Sequence, residues 1–168
     1  MKSIFASCML AAISSAAIAK DGKCHALVLS GGSNNGAWEV GVMWGLTHYG
    51  NREDYAWDTV SGVSAGAINT GGIATWPTGT EYEMIEWLSD KWATISTTDI
   101  YFKRPGGPID LIFDEPSFLD DDPALQTLKD IIADKGAINR KFAVSAVDAN
   151  TGDYIAMTHE NTTYDDLA

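Results

Sequence analysis

In DTVSGVSAGAIN (Asp58–Asn69) a short run with β-branched residues ends at Gly62, and a serine follows between two glycines. Gly62-Val63-Ser64-Ala65-Gly66 fits G-x-S-x-G. That pattern needs a strand before it and a helix after it, because the turn is sharp and lifts the serine hydroxyl above the sheet. Side chains at positions 62 and 66 would collide with nearby backbone, so glycine is required there. The small residues from Ala65 onward suit a helix whose N-terminus favours negative charge. The alternative is a glycine-rich turn holding an idle serine.

Upstream, HALVLS (His25–Ser30) is an apolar run stopped by glycines and reads as a buried strand. The loop GGSNNG (Gly31–Gly36) follows, and AWEVGVMWGLTHYG (Ala37–Gly50) reads as a helix. Trp38, Val42 and Leu46 share one face of it, and Gly41 and Gly45 are expected to form a flat strip for close packing. The loop offers the N–H groups of Gly31, Gly32 and Ser33. Converging amides of this kind can hold the oxyanion of a tetrahedral intermediate. The competing reading is a nucleotide-phosphate loop, which the lack of both G-x-G-x-x-G and a Gly-Lys-Ser/Thr ending disfavours.

Downstream, TEYEMIEWLSDKWATI (Thr80–Ile95) reads as a helix opened by a Thr80/Glu83 capping box, with a stripe of Ile85, Leu88, Trp92 and Ile95. Residues 96–118 read as irregular around RPGGP. A further helix is expected with Asp122 as N-cap, Pro123 at its first position and Gly136 closing it. Its inward residues are Leu125, Leu128, Ile131 and Ile132. KFAVSAVDANTGDYIAMTHE (Lys141–Glu160) reads as two strands joined by a turn at ANTG. Strand–helix alternation of this kind predicts a three-layer α/β/α sandwich with a largely parallel sheet. Sites in such sheets form beyond the carboxyl ends of the strands, where both glycine loops emerge.

LVLSGGSNNGAWEVGVMWGL (27–46) and SGVSAGAIN (61–69) together resemble the start of a patatin-like phospholipase domain. PSFLDDDPALQTLKDII (116–132) and FAVSAVDANTGDYIAM (142–157) are similar to later segments of that family. The resemblance implies a serine lipid acyl hydrolase with a serine–aspartate dyad, no histidine, and no metal or organic cofactor. It implies Ser64 as nucleophile, Gly62 and Gly66 as the elbow glycines, and Gly31, Gly32 and Ser33 as the oxyanion hole, with Asn35 and Gly36 contributing to the loop. Ser33 stands where the family has a third glycine, and Asn35 where it has a basic residue. Lipid or acyl-ester substrates follow, with transient contact to a membrane or micelle surface. The family's aspartate lies in an Asp-Gly-Gly or Asp-Gly-Ala turn after the serine. Here the only Asp-Gly is Asp21-Gly22, so the expectation is the N-terminal portion of a longer domain, with its base beyond the chain. The alternative is a catalytically inactive lipid-binding relative.

A conventional triad of Ser64, Asp148 and His159 has the right chain order, but only a turn and a strand separate its two partners. His25 and His48 read as structural. The Asp120–Asp122 run lacks the alternating spacing of a calcium loop.

MKSIFASCMLAAISSAAIA (1–19) has an early lysine, an apolar middle and an A-x-A end, the pattern of a signal peptide on a secreted protein. The mature domain is then 20–168, and Cys24 is its one cysteine. A membrane anchor is the alternative for this short, serine-containing run. Asp and Glu total 23 against 11 Lys and Arg, a net charge of −12, which disfavours nucleic acid as a partner.

Overall fold

The computed structural model describes residues 22–103, 119–133 and 135–167. The leader at 1–19 and the RPGGP segment lie outside the described residues. Strand β1 (Ala26–Leu29) leads through a 3-10 turn at Ser33–Asn35 into helix α1 (Gly36–Tyr49). A short helix α2 (Arg52–Tyr55), which the sequence pattern did not signal, precedes strand β2 (Thr59–Gly62). Helices α3 (Ala65–Ala74) and α4 (Glu81–Thr94) follow. A two-residue antiparallel ribbon, β3 (Phe102–Lys103) with β4 (Leu119–Asp120), brackets the stretch expected to be irregular. Helix α5 (Asp122–Ile132) and the hairpin β5 (Lys141–Val147) and β6 (Tyr154–Thr158) complete the described chain.

The main sheet has the order β1-β2-β5-β6. β1, β2 and β5 are parallel, with Leu27 beside Val60 and Val60 beside Phe142, and β6 runs antiparallel to β5. This is the α/β architecture expected, with a mostly parallel sheet. Alternation along the strands sends Leu29, Val60 and Phe142 to one face, where they are buried against Val40, Met43, Ile73, Met84, Ile85 and Leu88 of α1, α3 and α4. On the opposite face Val28 is 76 % exposed. Among the described residues, the packed core lies on the helical face alone.

Three local expectations need correction. The buried face of α1 is Gly36, Val40, Met43 and Thr47. Trp38, Val42 and Leu46 are exposed, and a Cβ at Gly41 or Gly45 would meet nothing within 4 Å. Helix α1 is apolar on both sides, so its periodicity does not say which side packs inward. The Thr80/Glu83 capping box does not form. The Thr80 hydroxyl donates to the Pro77 carbonyl at 2.8 Å, and the Gly79 N–H reaches the Glu81 carboxylate instead. At α5 the N-cap is Asp121, Asp122 is helical, and its N–H donates to Asp120 Oδ1 at 3.1 Å. Leu125 faces solvent, leaving Leu128, Ile131 and Ile132 on the inner side.

Candidate active site

Ser64 caps α3 with φ 53° and ψ −122°. A side chain with a Cβ is strained there, and a non-glycine residue persists in such a conformation only when its surroundings enforce it. The enforcement is visible. A Cβ added to Gly62 would collide with the carbonyl of Gly66 and lie 2.6 Å from Thr70 Oγ1. One added to Gly66 would lie 2.6 Å from the Ser30 carbonyl oxygen. Both glycines are therefore required by close backbone approach. Ser64 itself remains exposed, and among the described residues nothing hydrogen-bonds its hydroxyl.

The two glycine loops meet. A Cβ at Gly31 would lie 3.2 Å from Ser64 Cβ and 3.6 Å from the Val63 carbonyl oxygen. The parallel pairing of β1 and β2 extends into this junction. Val63 N–H donates to Leu29 O at 3.4 Å and Gly66 N–H to Ser30 O at 3.1 Å. Ser33 adopts φ 53°, so the serine in place of a third glycine does take the left-handed conformation. The N–H groups of Gly31, Gly32 and Ser33 have no hydrogen-bond partner among the described residues. Ala65, as the first residue of α3, adds one of the amides that a helix start leaves unbonded. Asn35 folds back on the loop, its N–H donating to Gly32 O at 3.0 Å. Gly36 is buried, because a Cβ there would lie 2.6 Å from the Trp92 ring.

A polar clamp that motif reasoning missed ties loop to helix. Glu39 accepts the Ser30 N–H at 2.7 Å on one carboxylate oxygen. Its other oxygen accepts from the Asn69 amide at 3.0 Å. The same amide nitrogen donates to Gly36 O at 3.0 Å, and Asn69 Oδ1 accepts from Trp92 Nε1 at 2.7 Å. Asn69 is fully buried. These residues sit on three helices, and no motif in the sequence joins them.

The histidines lie elsewhere. His25 precedes β1 at the opposite end of the strand, where its N–H donates to Asp58 Oδ2 at 2.9 Å. His48 donates through Nδ1 to the Trp44 carbonyl at 2.8 Å and stacks on the Trp44 ring. The His159 N–H donates to Phe142 O near the start of β5. Asp148 lies at the other end of that strand, roughly 20 Å away along the hairpin, with its carboxylate accepting the Asn150 N–H at 2.7 Å. The conventional triad is thus not assembled.

No curated protein and no solved structure matches the chain. The family model described as patatin-like phospholipase matches residues 27–167, from the first strand past the last. With both glycine loops, the parallel sheet and the terminal hairpin inside that span, the chain belongs to the patatin-like phospholipases, a family of lipid acyl hydrolases.

Proposed function

We propose that the protein cleaves carboxylic esters of lipids through Ser64. The hydroxyl oxygen attacks the ester carbonyl as its proton passes to an aspartate base, and the carbonyl oxygen becomes an oxyanion facing the amides of Gly31, Gly32 and Ser33. The intermediate collapses, the alcohol leaves with the proton, and water then releases the fatty acid from the acyl-serine. Elbow glycines Gly62 and Gly66 hold the serine in place. The observation that carries this reading is the strained Ser64 backbone directly beside the Gly31 loop. Removing one oxyanion donor typically costs about 100- to 1,000-fold in rate.

One observation favours a second reading. No carboxylate among the described residues hydrogen-bonds Ser64, as suits a relative that binds lipid without turnover. A fluorophosphonate probe and p-nitrophenyl butyrate separate the two. The hydrolase reading expects labelling and ester cleavage by the wild type and neither by Ser64→Ala. Equal behaviour of the two proteins supports lipid binding alone.

A further inference from the structure

Ser30 stands where the two glycine loops join, and both peptide groups around it are held. The Leu29–Ser30 peptide accepts the Val63 N–H through Leu29 O at 3.4 Å and donates the Ser30 N–H to Glu39 at 2.7 Å. The Ser30–Gly31 peptide accepts the Gly66 N–H through Ser30 O at 3.1 Å. A trans peptide is planar, so holding its carbonyl fixes the direction of the N–H at its other end. Here that N–H belongs to Gly31, the first of the candidate oxyanion donors.

These fastenings differ in strength. The Val63 bond is long, and the Gly66 N–H is shared with the Val63 carbonyl at 3.0 Å. The Glu39 bond is short and ends on a carboxylate, and such bonds are roughly twice as strong as neutral ones. Glu39 lies in the first turn of α1, where negative charge is favoured. Its other oxygen accepts from the Asn69 amide at 3.0 Å, and Asn69 belongs to α3, the helix that Ser64 caps. One carboxylate therefore grips the oxyanion loop with one oxygen and the helix of the nucleophile with the other.

We propose that Glu39 is a positioning residue for ester cleavage, acting through Ser30 to set the Gly31 N–H against the oxyanion formed at Ser64. The proposal rests on the hydrolase reading and deepens it. A donor aimed at the oxyanion stabilises the transition state more than the bound ester, so losing its aim lowers kcat and leaves KM in place. A misplacement of about 1 Å costs on the order of 100-fold in rate.

The test measures p-nitrophenyl butyrate hydrolysis by the full chain as wild type, Glu39→Gln and Glu39→Ala, with rates corrected for the folded fraction. Glutamine keeps one acceptor oxygen, so it satisfies Ser30 or Asn69 but not both. The alanine variant is expected to lose about 10- to 100-fold in kcat, and the glutamine variant less, with KM within about twofold of wild type. A residue that only stabilises the fold lowers the folded fraction and leaves the corrected kcat unchanged. If alanine at 39 prevents folding, the glutamine variant decides: a corrected kcat at least about threefold below wild type supports the proposal. A corrected kcat equal to wild type, or a loss carried by KM, overturns it. Amide hydrogen exchange, followed residue by residue by NMR on wild type and Glu39→Gln, separates this proposal from the hydrolase reading. Faster exchange in the variant at both Ser30 and Gly66 supports the coupling of loop to elbow even when no ester is cleaved, and then the hydrolase reading alone has failed. Faster exchange at Ser30 alone, or at neither residue, overturns the positioning role.

Discussion

At the scale of single residues, the glycines divide into those that geometry demands and those it does not. Gly62 has a carbonyl where its Cβ would go, whereas Gly41 has open space on an exposed helix face. Gly62→Ala is expected to cost at least ~2 kcal/mol, as overpacking against backbone does. Gly41→Ala should stabilise by about 0.5–1 kcal/mol, because alanine loses less entropy in a helix interior. Urea unfolding of the pair measures both, and equal effects would refute the distinction. The sequence made Gly62 and Gly66 legible because a sharp turn has local chemistry. It misplaced Gly41 and Gly45 because a G-x-x-x-G spacing looks the same whether a neighbour packs on it or not. Ser64 and the Gly31–Ser33 loop were legible for the same local reason as the elbow glycines.

At the scale of elements, the clamp through Glu39, Asn69 and Trp92 joins α1, α3 and α4 at the rim. Asn69→Ala leaves the Trp92 N–H without its partner at 2.7 Å, and buried orphans of this kind cost about 1–3 kcal/mol. Chemical denaturation reads the loss; a change below about 0.5 kcal/mol would show the amide to be dispensable. Nothing periodic announces a bond between residues so far apart in sequence, which is why the clamp was invisible beforehand. The capping box was misassigned for a related reason. Thr80 has a nearer acceptor in Pro77 O, and the box that does form joins Ser96 to Asp99 at the next turn. There the Ser96 hydroxyl, and then the Ser96 N–H, hold the Asp99 carboxyl below the usual range. A lowered folded-state pKa stabilises above the unfolded value and is lost as pH falls through the folded one. The urea midpoint of wild type should therefore exceed that of Asp99→Asn at pH 6, and the gap should shrink as pH falls below the ordinary carboxylate value of about 4. A gap that persists at low pH would assign the effect to something other than charge.

At the scale of the whole molecule, one buried ion pair fastens the helical layer to the sheet. Arg140 Nη2 lies 3.1 Å from Glu81 Oε1, both side chains almost wholly buried. The guanidinium also donates to the carbonyls of Trp76 and Pro77, in the connection between α3 and α4. Desolvation draws the Arg140 pKa down, and the Glu81 charge opposes that shift. Arg140→Met strands a buried carboxylate and should cost ~3–5 kcal/mol. Replacing both partners, Arg140→Met with Glu81→Leu, is expected to recover much of the loss. Thermal and urea melts check the cycle, and a double variant no better than the single would show the pair to be net stabilising. The mostly parallel sheet followed from strand–helix alternation, but the identity of this fastening did not, since neither residue belongs to a motif.

The contacts that join the Gly31 loop to Ser64 come almost wholly from residues 25–69, while Val60 finds Phe142 only after most of the chain has been traversed. Nearby segments close cheaply and distant ones slowly. As the polypeptide leaves the ribosome, the serine rim thus has its own residues in hand well before the third parallel strand is made. Order of synthesis favours shaping the reactive corner first and completing the sheet beside it afterwards.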